Sequence, residues 1–237
     1  MNVLSLFAGI GGLELGLERL GMRVVGQVEI DPFCQQVLEK HWPDVPKHDD
    51  VRTAVEWWES EERPSVDVIC GGFPCQPFSS AGKRLGIADE RWGWPWMRDV
   101  IAEVGPRFVV TENVARLVKD AEAFSIILRD LHELGFDAEW DVVTACSVGA
   151  PHLRKRLFIL AYAHGEQLRL SGGVGGEEGR DPERYLHQWS PESEPHRVVD
   201  GVPRRVDRNR ALGNAVVPQV AEFVGRRIEM SSKSASI

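Results

Sequence analysis

No apolar run in this chain is long enough to cross a bilayer, and its first residues carry no basic stretch leading into an apolar signal core. These two absences give the expectation of a cytoplasmic protein. Cysteine is scarce, with only Cys34, Cys70, Cys75 and Cys146 in 237 residues. Cys34 and Cys146 stand alone and Cys70 and Cys75 lie close, but no Cys pair or Cys/His set has zinc-ligand spacing. Free thiols in a reducing compartment are expected, and no metal. Excess positive charge is also missing: 28 Lys and Arg against 36 Asp and Glu give a net charge of -8. A uniformly basic body that grips phosphates everywhere is therefore excluded. No internal repeat is present.

Positive charge is instead local. Arg154, Lys155 and Arg156 stand together, and Arg197, Arg204, Arg205, Arg208 and Arg210 enrich a late segment, while Glu56, Glu59, Glu61 and Glu62 form an acidic cluster. Two basic patches on an acidic body are compatible with binding nucleic acid. A hydrophobic content of 43% and a charged content of 27% are ordinary for a globular protein, and the length allows one substantial core. Hydrophobic patterning predicts strands at 3–7, 24–28, 66–70, 108–111, 141–145 and 157–161. Helices are expected at 13–20, through Phe33 and Val37, at 96–104 and at 124–134. Strands separated by helix-length connections imply an α/β fold with a mostly parallel sheet and helices on both faces.

The texture changes from Gly165. Glycines at 172, 173, 175, 176 and 179 and prolines at 182, 191 and 195 lie among polar residues, so this stretch reads as an extended loop or tiny insert. Helical structure is expected to return near Pro203, up to Leu212, and again after Pro218. The organisation expected is a catalytic and cofactor-binding domain at 1–162, a small insert at 163–196, a returning segment at 197–230 and a disordered tail at 231–237.

Leu6-Phe7-Ala8-Gly9-Ile10-Gly11-Gly12 follows the first strand and opens the first helix. Glycines there let the backbone bend sharply and let a ligand approach it closely. No phosphate-binding Lys-Ser/Thr follows, which argues against a P-loop. Glu29 ends the second strand at the interval where an acidic residue commonly reaches ribose hydroxyls. Asp50, at the expected end of a third strand, could accept from an adenine amine, although an Asp pair in a loop more often caps a turn. The loop Gly71-Gly72-Phe73-Pro74-Cys75-Gln76-Pro77-Phe78-Ser79 follows the fourth strand and presents a cysteine at the sheet's carboxyl edge, a candidate nucleophile. The next strand ends in Thr111-Glu112-Asn113-Val114, which would bring Glu112 to the same edge. A carboxyl group there could protonate a ring nitrogen if burial raises its pKa. Arg154 and Arg156 alternate ahead of a further strand and would share one face if extended, where they could bind a carbonyl oxygen and a carboxylate.

Read together, these residues resemble the C5-cytosine methyltransferase family. The resemblance covers 5–161 and resumes over 197–224. It takes in the glycine-rich turn, Glu29-Ile30-Asp31, the Pro74-Cys75-Gln76 loop, Glu112-Asn113-Val114, the Arg-x-Arg at 154 and 156, and Gly213-Asn214-Ala215-Val216-Val217-Pro218. It implies a Rossmann-like fold that binds S-adenosylmethionine, and methyl transfer to C5 of cytosine in double-stranded DNA. By that resemblance Cys75 is the covalent nucleophile, Glu112 engages N3 and the exocyclic amine, Arg156 holds O2, and Arg154 supports Glu112 and its loop. Phe7, Ala8, Gly9, Gly11, Gly12, Glu29, Ile30, Asp50, Pro74 and Asn214 would form the cofactor site. The target base would be flipped out of the duplex. Ser79, Lys83, Arg84, Arg204, Arg205, Arg208 and Arg210 are the expected DNA contacts, with a solvated helix of ion pairs as the alternative for the late arginines.

Two departures stand out. His152 occupies a position where the family commonly has Gln. The recognition insert, at about 163–196, is far shorter than the roughly 50-residue lower limit of ordinary domains. A cognate restriction endonuclease or a specificity partner is the expected company. Methylation of tRNA cytosine is the rival enzyme reading, and a non-catalytic nucleic-acid-binding relative is the rival from another class.

Overall fold

The computed structural model describes residues 1–74, 92–166 and 205–234, with the side chains of all of these except 205, 206, 208, 209 and 229–234. Seven strands form one sheet in the order β3-β2-β1-β4-β5-β7-β6. They are β1 (Asn2–Leu6), β2 (Arg23–Val28), β3 (Lys47–His48), β4 (Val68–Gly71), β5 (Phe108–Val114), β6 (Phe136–Thr144) and β7 (Lys155–Ala163). Pairings from β3 through β5 are parallel, while β7 runs antiparallel to both β5 and β6. The expected α/β architecture with a mostly parallel sheet is thus present. Central strands are buried on both faces, which is why β1, β4 and β5 read as nearly continuous apolar runs.

Helices α1 (Gly12–Glu18), α2 (Pro32–His41), α3 (Ala54–Glu59), α4 (Trp94–Val104), α5 (Ala121–Glu133), α6 (Arg205–Asn214) and α7 (Pro218–Ser234) surround the sheet. Leu13 and Leu17 of α1 pack with Val220, Phe223 and Val224 of α7 in one apolar cluster. Trp94, Met97 and Ile101 of α4 pack with Ile127 and Leu131 of α5 in the other. Local chemistry sets the starts: Asp31 accepts from the Phe33 and Cys34 amides ahead of a proline at the first turn of α2, and Asp120 accepts from Ala123 N at α5.

Several boundaries differ from expectation for physical reasons. The strand expected at 141–145 begins at Phe136, and all nine of its residues pair with β7. Its first half carries an acidic residue at every second position of an edge strand, so it lacks the apolar run that marks buried strands. Residues 231–234, expected in a disordered tail, continue α7 to Ser234, since propagating a helix adds one hydrogen bond per residue fixed. Cys75, Ser79, Lys83, Arg84, Arg204 and nearly all of the expected insert lie outside the described residues. No helix among the described residues is long and apolar enough to cross a membrane.

Candidate active site

The strand order reverses direction between β1 and β4, and ligands of open α/β sheets bind outside the carboxyl ends at such a point. Phe7 follows β1 there with φ of 53°. Gly9 N donates to Glu29 Oε2 at 2.7 Å, and Asp31 N donates to Glu29 Oε1 at 2.7 Å. The Glu29 carboxylate therefore ties the glycine-rich turn to the end of β2. Burial pushes its pKa up, against the amide hydrogen bonds that lower it.

Phe7, Val28, Glu29, Ile30, Asp49, Asp50, Val51, Arg52, Pro74 and Trp96 line a cleft of about 600 Å³. Ile30 is 65% exposed although apolar, and it sits at the mouth of this cleft. Apolar faces beside a carboxylate of fixed orientation fit an adenosine-like ligand, with flat surfaces for a heterocycle and an acceptor for ribose hydroxyls. Gly9 adds a bare backbone face: among the described residues nothing lies within 4 Å of where its Cβ would stand. Asp50 lies in the cleft, but its carboxylate also receives Arg52 Nε at 2.9 and 3.0 Å. That hydrogen bonding holds the Asp50 pKa below the usual carboxylate range.

Gly11 and Gly12 face elsewhere. A Cβ on Gly12 would stand 2.2 Å from the carbonyl oxygen of Val216, so this glycine is required for the late segment to seat against the turn. Asn214 is exposed at the end of α6 and is not among the residues lining the cleft. Val28, Asp49, Val51, Arg52 and Trp96 line the cleft and were missed by the sequence reading. Two aromatic residues at the opening of α4, Trp94 and Trp96, were the available signal.

On the other side of Pro74, β4 and β5 pair in register with Gly71 opposite Thr111. Glu112 follows Thr111, and its side chain is almost wholly buried. Arg156 Nε stands 2.8 Å from Glu112 Oε1, an ion pair across the β5–β7 ladder. Burial raises the Glu112 pKa to about 7 against the lowering effect of Arg156 and then Arg154. Asn113 Nδ2 donates to Phe73 O at 3.2 Å, anchoring the backbone two residues before Cys75.

The two arginines divide their work. Arg154 Nη2 donates to Gly213 O at 2.9 Å and also to Ala215 O, holding the end of α6 against the start of β7. Arg210 pairs with Asp31 and, at 3.6 Å, with Asp207, joining α6 to α2. The backbones of Arg205 and Arg208 lie in α6. Three cysteines fall within the described residues. Cys34 and Cys70 are buried, and burial pushes the Cys34 thiol to about 12 and the Cys70 thiol well above its usual value. Cys146 is exposed on the turn after β6, with Sγ 3.0 Å from Thr144 Oγ1.

A family profile for C-5 cytosine-specific DNA methylase matches residues 1–204. The Type II methyltransferase M.NgoBI of Neisseria gonorrhoeae is 32% identical over 165 residues, covering 68% of this chain and 50% of its own length. The Type II methyltransferase M2.BsuMI of Bacillus subtilis (strain 168) is 36% identical over 168 residues, covering 68% of this chain and 42% of its own length. The chain thus spans about half the length of the curated relatives it matches. The S. pombe Dnmt2 methyltransferase structure aligns with a TM-score of 0.67 at 16% identity over 100% of both chains, a likeness of fold. With the profile covering most of its length, the chain belongs to the C-5 cytosine-specific DNA methylase family.

Proposed function

We propose that this chain transfers a methyl group from S-adenosylmethionine to C5 of cytosine in double-stranded DNA, with Cys75 as the nucleophile on a base turned out of the duplex. The observation that carries the reading is the buried Glu112–Arg156 pair beside the strand that leads through Phe73 and Pro74 into Cys75. The cleft lined by Phe7, Ile30, Trp96 and the Glu29 carboxylate supports the donor assignment. The Type II names of the relatives support duplex DNA as substrate, with a cognate restriction endonuclease or a specificity partner as company.

When bound, S-adenosylmethionine supplies an electrophilic methyl group on a sulfonium sulfur. Phe7, Ile30 and Trp96 offer apolar faces to its adenine, and the Glu29 carboxylate has lone pairs left for the ribose hydroxyls. Cytosine C5 is a poor nucleophile, so the ring must first be activated. The Cys75 thiolate bonds through Sγ to C6, pushing the C5–C6 electron pair toward N3. Glu112 in its acid form gives a proton to N3, a role suited to a carboxyl that titrates near neutrality. The Arg156 guanidinium, ion-paired with Glu112, would donate to the base carbonyl O2. With N3 returning its proton to Glu112, C5 would take the methyl group as the sulfonium's carbon–sulfur bond breaks and leaves a neutral thioether. The C5 proton would then leave to water and Sγ would depart from C6 with its electron pair.

A duplex carrying 5-fluorocytosine tests this, because fluorine cannot leave as the proton does. Incubation with the cofactor should give a covalent protein–DNA adduct that Cys75→Ala does not form. Undiminished turnover by Cys75→Ser would end the proposal. Methylation of total tRNA with inert duplex DNA would move the substrate to RNA.

A further inference from the structure

We propose that Gly72 is a positioning residue for Glu112, holding the carboxylate in place by having no side chain. The inference rests on the methyl-transfer reading, which gives Glu112 its task, and adds a residue to which the mechanism assigned nothing. Gly72 follows the last residue of β4, one step beyond the Gly71–Thr111 pair, and therefore stands beside Glu112 on β5. A Cβ built on Gly72 would lie 3.1 Å from Glu112 Oε2 and 3.6 Å from Glu112 O. The first distance is closer than an ordinary carbon–oxygen contact, so one of the two groups would have to give way.

Neither has an easy retreat. Glu112 Oε1 is held by Arg156 Nε at 2.8 Å, and the glutamate is 7% exposed. On the other side, Asn113 Nδ2 holds Phe73 O, which fixes the loop that carries Gly72. The φ of Gly72 lies outside the left-handed region, so alanine meets no left-handed strain there, and its stiffening of the unfolded chain is the same whatever residue stands at 112. A methyl group at 72 therefore pushes Oε2 out of line or covers it, while the cleft formed by Phe7, Glu29 and Trp96 is untouched.

The test compares Gly72→Ala with wild type in the full chain. Carbon-13 NMR of the Glu112 carboxyl, without DNA or cofactor, should show it titrating at a changed pH in the variant. Unchanged titration overturns the proposal, whatever the activity does. In transfer assays kcat should fall by about threefold to tenfold, as expected for a reacting group displaced by a few tenths of an ångström. The KM for S-adenosylmethionine should stay within about twofold. A rise in that KM with kcat intact overturns the proposal.

A denaturation cycle adds an arm independent of activity. Gly72→Ala should be clearly less favourable to stability in the wild-type chain than alongside Glu112→Ala, where the contact partner is gone and only the stiffening of the unfolded chain is left. An equal change in both backgrounds, of either sign, overturns the proposal, and a Gly72→Ala chain that folds only with Glu112→Ala is the supporting result in its extreme form. If wild type methylates neither DNA nor RNA while titration and cycle behave as stated, the activity reading fails and the positioning by Gly72 stands.

Discussion

Glu112 is pulled two ways: burial favours its neutral form and Arg156 favours the ionised one, with a balance at about 7. A proton donor with that balance is loaded below neutrality and empties above it. Methyl transfer in single turnovers should therefore decline as pH rises through about 7, and Glu112→Gln should remove that limb while lowering the rate by about a hundredfold or more. Removing the opposing cation in Arg156→Gln should raise the pH at which Glu112 titrates, checked by the same carboxyl resonance. The identity of these residues was legible in the sequence, because a carboxylate at one strand end and two arginines before another are chemistry-bearing types in telling places. Their division of labour was not. Spacing places 154 and 156 on one face of an extended segment, but only the fold shows that Arg154 meets two carbonyl oxygens and Arg156 meets Glu112.

Helix α6 is held at its middle and at its C-terminal end by side chains from distant elements. Arg154 clasps the carbonyls of Gly213 and Ala215, and Arg210 reaches Asp31 at the start of α2. Arg154→Met would strip partners from two carbonyls, costing about 1–3 kcal/mol, and should speed amide exchange over 211–217 by mass spectrometry. Asp31→Ala removes the α2 cap and the Arg210 contact together; a loss of about 1 kcal/mol or somewhat more is expected by urea denaturation. Strand and helix existence was legible at this scale from apolar runs and periodicity. The edge strand β6 was half hidden because alternate positions carry Asp137, Glu139 and Asp141, so that only pairing with β7 defines it.

Across the whole molecule, acidity is distributed unevenly between surface and interior. Glu14 is completely buried beneath α1 beside Ser5 and Gln27, and burial raises its pKa from 4.5 to about 7. Once the chain unfolds, that carboxyl ionises at the lower value. Between these two pH values the native state holds the extra proton, so stability is full below the window and falls as pH rises through it. Glu112 contributes with the same sign. Glu14→Gln should flatten the decline and raise the melting temperature at about pH 8 relative to wild type, read from thermal melts across the range. No sequence pattern announces such a group, since a glutamate on an amphipathic helix is ordinarily at the surface.

The contact between Gly12 and Val216 has a consequence for biosynthesis. The turn at Gly12 is synthesised long before its partner carbonyl at Val216, and α7, emerging later still, supplies Val220, Phe223 and Val224 to cover Leu13 and Leu17. Until then a growing polypeptide leaves the ribosome with one flank of its sheet bare and sticky, a natural client for chaperones.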